Sequence, residues 1–357
     1  MKVGIVGLPN AGKSTLFNAL TQAGAETATY PFTTVDPNVA VVEVPDERLA
    51  PVADAAGASP LVPETIEFID IAGLVRRAAE GEGLGNRFLG QIRETDAICH
   101  VVRAHGDDGV PHPEGRLDPI ADVDAVEDEL RLADLEQAEA RLERVGRTAR
   151  GGDAAAIAER DWLEQVVSSL REGRGAGDVA LPEEAEEAAL SLRFLTAKPV
   201  LYVANVDEGD AEVPAGVGER AAAGSAGAIA ISARVEAELG ELDSAEAEEM
   251  RAELGLPEPS LPRLVRAAYD LLDLVTFFTA HPSAEATARS LPRGGTAWDA
   301  AGRVHGEIQE AFVRAEVIGW RELVDAGGYA AARERGVLRA EGRDYIVADG
   351  DVITIRH

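Results

Sequence analysis

The chain has 357 residues with a hydrophobic fraction of 46%, so two or three domains with packed cores are expected. Its formal net charge is −30 and its only lysines are Lys2, Lys13 and Lys198, a balance that opposes indiscriminate binding to nucleic acid, DNA included, or to acidic membranes. A single cysteine, Cys99, excludes an intrachain disulfide and a cysteine metal cluster; with no long apolar span and no signal-peptide layout, a cytoplasmic protein without a membrane partner is expected.

The first element is a short β-rich run, Val3 to Val6. It leads into G-L-P-N-A-G-K-S, residues 7–14, a gapless match to the phosphate-loop pattern, and then into a helical stretch with Leu16, Phe17 and Leu20 on one face. Strand, glycine-rich turn and helix together point successive backbone N–H groups at phosphate oxygens. Asn10, Ala11, Gly12, Lys13, Ser14 and Thr15 are therefore nucleotide-binding candidates. Lys13 neutralises the β- and γ-phosphates, and Ser14 is a ligand for Mg²⁺.

Next comes Y-P-F-T-T-V-D-P-N, residues 30–38, a Pro-bounded loop. Thr34, with Thr33 as the alternative, fits a switch threonine that meets Mg²⁺ and the γ-phosphate. In E-F-I-D-I-A-G-L, residues 67–74, an apolar run ends in Asp70, a second Mg²⁺ candidate, and Gly73 offers a γ-phosphate-sensing N–H. This is the D-x-x-G pattern of GTPase-type P-loop proteins. Leu74 stands where Ras-type proteins have a water-orienting glutamine, so hydrolysis needs another group or is slow, on the order of 10⁻⁴ to 10⁻³ per second. Gly81, Gly83 and Gly85 then give the chain conformational freedom.

From about Ile120 the period becomes helical, with Val123, Val126, Leu130, Leu135, Leu142 and Val145 spaced by threes and fours among charges. Gly151-Gly152 interrupts it, and Ile157, Leu163, Val166, Val167 and Leu170 repeat it, which predicts an antiparallel helical hairpin. A buried strand follows at Val200 to Ala204, so the nucleotide domain is discontinuous.

That strand ends in L-Y-V-A-N-V-D-E-G, residues 201–209, where a guanine-reading Asn-Lys-x-Asp motif is expected. Valine replaces the lysine and Glu208 the aspartate. An aspartate there accepts from guanine N1–H and the 2-amino group; adenine offers neither, and Glu208 is a methylene longer. Asn205, Val206 and Glu208 thus form a base pocket leaning toward adenine, with Asn205 reaching the N7 and 6-amino edge. Asp207, two residues after Asn205, is a slipped alternative. Ser232-Ala233, after the strand A-I-A-I, supports the base through backbone groups. Near the C-terminus, Y-I-V-A-D-G-D-V-I-T-I predicts two strands around an Asp349-Gly350 turn. Cys99, His281, Trp298 and His305 are read as packing residues.

These motifs, with G-E-G-L-G-N-R-F-L (81–89), H-V-V-R (100–103) and E-G-R-D-Y-I-V-A-D-G-D-V-I (341–353), resemble the YchF / Obg-like ATPase family along the whole chain. The resemblance implies an α/β P-loop domain of GTPase type, residues 1–119 and 195–275, with a helical coiled-coil insertion over 120–194 and a β-grasp TGS domain over 276–357. It implies hydrolysis of ATP, with GTP bound more weakly, and Mg²⁺ as cofactor. It also implies association with the ribosome, through the large subunit or its RNA, in translation or stress. The family's catalytic histidine matches His112 by position, with His105 as a competitor; His112, Lys13 and Gly73 form the implied catalytic set. Under this resemblance Arg141, Arg144, Arg147 and Arg150 are either a solvated face among acids or a contact to ribosomal RNA, and Arg76 and Arg77 are a similar case. The A-H-P-S-A-E-A-T-A-R-S-L-P-R-G-G-T stretch, from Ala280, departs from the family pattern.

Overall fold

The computed structural model describes residues 1–27, 38–71, 84–106, 111–112, 115–224, 226–256 and 258–357. The strands are β1 (Lys2–Val6), β2 (Val39–Glu43), β3 (Leu61–Val62), β4 (Thr65–Asp70), β5 (Ala97–Arg103), β6 (Val200–Asn205), β7 (Gly227–Ile231), β8 (Leu274–Ala280), β9 (Ala286–Pro292), β10 (Arg314–Gly319), β11 (Arg339–Glu341) and β12 (Asp351–Arg356). The chain forms two compact units, Met1–Val42 with Glu67–Leu264, and Glu43–Ile66 with Val265–His357.

The first unit is built on a sheet of order β2-β4-β1-β5-β6-β7. β1 runs parallel to β4 and β5, and β5, β6 and β7 run parallel in turn. All seven residues of β5 are buried, as a strand covered on both faces requires. The register pairs Ile5 with Asp70, Val6 with His100, Arg103 with Asn205, and Asn205 with Ile231. The segments leaving β1, β4, β5, β6 and β7 therefore emerge at one edge, where ligands of open parallel sheets bind.

Helix α1 (Lys13–Thr27) follows the phosphate loop, α2 (Leu49–Ala56) lies in the second unit, and α3 (Leu84–Arg93) precedes β5. Gly85 lies inside α3 and is not part of a free glycine run. The insertion is a helix pair, α4 (Pro119–Ala149) and α5 (Ala154–Arg171). Asp118 caps α4 by accepting from Ala121 N–H, Pro119 occupies the first turn, and Asp153 caps α5. Ala138, Val145 and Ala149 of α4 pack on Leu163, Val166 and Leu170 of α5. The first three turns of α4 have other partners. Val123 packs with Val102 and Tyr202, and Val126 and Leu130 pack with Leu89, Ile92 and Ile98. A boundary at residue 120 thus splits a continuous packing face, because helical period alone does not reveal which surface a stripe covers.

Polar contacts tie the same part of α4 to the sheet. Asp134 is fully buried and accepts from Leu195 N–H (3.0 Å), Thr196 N–H (2.8 Å), the Thr196 hydroxyl (2.8 Å) and Arg93 Nη1 (3.1 Å). Glu127 accepts from the Tyr202 hydroxyl and from Arg220, whose Nη2 also reaches Asp124 at 3.0 Å. The Tyr202 ring stands 5.6 Å from the ring of His100, which is buried in β5. Burial pushes the His100 imidazole down to about 4; Glu127 opposes that and the Lys13 charge adds to it. At the far end of the hairpin Arg141 pairs with Glu159 (2.5 Å) and Arg147 with Glu143 (2.7 Å), which fits an ion-paired, solvated face.

The second unit holds a sheet of order β11-β10-β12-β8-β9-β3. β8 and β9 are antiparallel, as are β10 and β12, whereas β12 meets β8 in parallel. Its core joins Phe278, Ala286, Ile318, Leu323 and Val352 to Leu49, Val52, Ala53 and Ala56 of α2. Residues 43–66 thus pack with the C-terminal part and not, as a nucleotide domain over 1–119 implies, with the phosphate loop. Residues 345–348 make only an isolated bridge, Thr296 to Ile346, in place of the first strand of a hairpin. The Asp349 carboxylate accepts from Thr276 N–H (2.9 Å) and Arg48 Nη1 (2.6 Å), which fixes the entry into β12 from outside the turn. Cys99 is buried, but His281, Trp298 and His305 are exposed; His305 caps a short helix instead of packing.

Replacing Asp134 with alanine strands three donors around a fully buried site and takes the carboxylate partner from the half-buried Arg93. A loss of about 3–5 kcal/mol is expected, read as a lowered urea midpoint and faster amide exchange in residues 119–171; a loss under about 1 kcal/mol would contradict the assignment. His100 is proton-poor when folded, so the unfolded chain binds more protons between its ordinary value of 6.5 and about 4. Stability should fall as pH drops through that window, by roughly 3 kcal/mol from this group. His100→Gln should flatten that slope in pH-dependent urea unfolding, and an unchanged slope would refute the assignment.

Candidate nucleotide-binding site

At the edge where β1, β5, β6 and β7 end lies a cleft of about 760 Å³. It is bordered by Asn10, Gly12, Lys13, Ser14 and Thr15 on the phosphate side and by Asn205 to Glu208 with Ser232 to Arg234 on the base side; His105 and Gly106 complete it. Of the described nucleotide-binding candidates, only Ala11 does not border it: Ala11 is buried and contributes its carbonyl to the brace described below.

The phosphate side follows from its glycines and from a helix N-terminus. Gly7 has φ +151°, and a Cβ there would stand 2.3 Å from the Val101 carbonyl oxygen. Gly12 has φ +97°, and a Cβ would meet Asn205 Nδ2 at 2.2 Å. Both positions exclude any side chain. Leu16 N–H closes the first turn of α1 onto the Gly12 carbonyl, and no acid lies in that turn, so the helix end favours an anion. Lys13 is buried and donates to the Leu8 carbonyl at 2.9 Å. Burial pulls its ammonium below the ordinary lysine value, with Asp70 acting against that.

Ser14 stands beside Asp70, whose carboxylate is raised by burial and lowered by Lys13 and Ser14. A hydroxyl and a half-buried carboxylate side by side are hard oxygen donors, the set Mg²⁺ prefers, and a cation there offsets the burial of Asp70. Thr33, Thr34, Gly73, Leu74, Arg76, Arg77, Gly81 and Gly83 lie outside the described residues.

On the base side Asn205 is buried and acts within the protein. Its Nδ2 donates to the Ala11 carbonyl and its Oδ1 accepts from Ala233 N–H, both at 3.0 Å. It is a brace between the phosphate loop and the segment after β7, beyond the purine-edge reader expected of it. Asp207 is committed as well: its Oδ2 accepts from Gly106 N–H at 3.0 Å, so it holds the segment after β5. Glu208 is exposed and borders the cleft. Arg234 also borders it, one residue beyond the Ser232-Ala233 pair.

The two histidines separate. His105 borders the cleft. The His112 imidazole is 2.8 Å from Asp122 Oδ2, and His112 is not among the residues around the cleft. The pairing of His112 with the start of α4 leaves no trace in the local sequence, because the partner lies ten residues on in a different element.

Comparison with known proteins agrees with this geometry. A family profile described as 50S ribosome-binding GTPase matches residues 2–137, and the YchF-type GTPase C-terminal profile, described as a protein of unknown function, matches residues 274–357. The ribosome-binding ATPase YchF of Bacillus subtilis is 45% identical over 362 aligned residues, covering 100% of this chain and 99% of the relative. The protein of the same name from Escherichia coli O157:H7 is 46% identical over 355 residues, covering 99% and 98%. A solved structure, the YchF GTPase of Schizosaccharomyces pombe, superposes with a TM-score of 0.87 at 33% identity, covering 100% of this chain and 97% of that one. On sequence, on both domain profiles and on fold, this chain belongs to the YchF family of P-loop proteins.

Proposed function

We propose that this chain is a Mg²⁺-dependent ATP hydrolase that works as a ribosome-associated switch. The observation that carries the nucleotide choice is the base side of the cleft. Asn205 bonds Ala11 and Ala233, and Asp207 accepts from Gly106, which leaves Glu208 as the one bordering carboxylate without a partner among the described residues. A glutamate there accepts from the adenine 6-amino group and does not reproduce the two-point aspartate fork on guanine. The relatives from B. subtilis and E. coli are named ATPases, while the S. pombe structure bears the name GTPase.

In this reading the α1 N-terminus and Lys13 hold the phosphates, and Ser14, Asp70 and Thr34 would hold the metal. Mg²⁺, when bound, neutralises charge on the β- and γ-phosphates. Gly73 senses the γ-phosphate, and His112 orients the attacking water in place of the absent glutamine. The ribosome, through its large subunit, is the partner that reads or accelerates the cycle in the cytoplasm. The helical pair and a C-terminal domain of TGS type are the surfaces offered to it.

Titration calorimetry of the nucleotide-free protein with non-hydrolysable Mg²⁺·ATP and Mg²⁺·GTP analogues tests the base assignment. At least tenfold tighter binding of the ATP analogue, about 1.4 kcal/mol, is expected. Equal affinities, or a preference for the GTP analogue, would refute it.

A further inference from the structure

Residues 111–112 are fastened at both ends. Asn10, in the phosphate loop and in a left-handed backbone conformation (φ 64°), donates from Nδ2 to the Pro111 carbonyl at 3.0 Å. The next residue, His112, sets its Nε2 2.8 Å from Asp122 Oδ2 in the first turn of α4. The imidazole is 7% exposed and the carboxylate 4%. The other carboxylate oxygen, Asp122 Oδ1, is buried and has no hydrogen-bond partner among the described residues.

Asn10 itself borders the nucleotide cleft. A triphosphate entering the loop therefore meets the same side chain that holds Pro111. We propose that Asp122 is a positioning residue that withholds His112 from the cleft, and that Asn10 makes the release of His112 depend on nucleotide. The contact has two arrangements, and differential binding to one of them shifts the balance. The same release loosens a carboxylate of α4 and so passes the state of the phosphate loop to the base of the helical pair. The hydrolytic consequence rests on the role proposed above for His112; the latch itself does not.

The test reads the imidazole directly. Carbethoxylation of His112 in the full-length protein, mapped by mass spectrometry, should be slow without nucleotide. It should rise at least about fivefold on adding a non-hydrolysable Mg²⁺·ATP analogue. Asp122→Asn, which keeps the shape but removes the charge, should raise it without nucleotide, and Asp122→Ala gives a second variant with an unchanged circular dichroism spectrum as the folding control. Asn10→Ala should also speed modification and should blunt the response to the analogue. Unchanged His112 reactivity in the Asp122 variants, or on nucleotide addition, overturns the proposal. Steady-state hydrolysis separates the two ideas: a higher kcat in Asp122→Asn, lost in Asp122→Asn/His112→Ala, is expected. Faster modification with no change in kcat leaves the latch standing and removes His112 from hydrolysis.

Discussion

One side-chain amide organises the nucleotide end of this protein. Asn205 sits at the end of β6, buried, and bonds the Ala11 carbonyl on one side and Ala233 N–H on the other. The two partners lie 194 and 28 residues away in sequence. Removing either bond would leave a buried polar group unpaired, at a cost of about 1–3 kcal/mol. The brace also dictates its surroundings. Gly12 has to be glycine because Nδ2 occupies the space a Cβ would take. The phosphate loop and the base side are thereby held at a fixed separation before nucleotide arrives, the preorganisation that binding benefits from.

Behind the cleft, the base of α4 is joined to the helices and turns around the same sheet by a series of acids. Asp122 meets His112, Asp124 and Glu127 meet Arg220, and Asp134 takes four hydrogen bonds from Arg93, Leu195 and Thr196. The apolar residues Val123, Val126 and Leu130 fill the spaces between them. The helical pair is therefore continuous with the nucleotide unit through buried contacts and not through a pliable linker. In the proposed latch, a change at the phosphate loop reaches α4 through Asn10 and residues 111–112.

Much of the site was legible in the sequence because its chemistry is local. The phosphate loop needs glycines at fixed spacing and a helix directly after them, and both are visible in residues 7–20. Ser14, Asp70 and the run from Asn205 to Glu208 follow apolar strands, so their arrival at one sheet edge follows from parallel topology. What escaped depends on partners remote in the chain. The apolar stripe Leu49, Val52, Ala53 and Ala56 does not say which sheet it covers, and it covers the C-terminal one. The Asp349-Gly350 turn looks like a hairpin until Thr276 and Arg48 claim the aspartate. The sequence points Asn205 at the purine, and its bonds to Ala11 and Ala233 add a bracing role that no spacing rule reveals.

The most direct test of this account is hydrogen exchange on Asn205→Ala with and without a Mg²⁺·ATP analogue. Loss of the brace should speed exchange in residues 11–16 and 233–237 together, leave the second unit unchanged, and abolish the protection that nucleotide confers on the wild-type phosphate loop. If residues 11–16 keep their protection and still bind nucleotide in Asn205→Ala, the brace is not what organises the site.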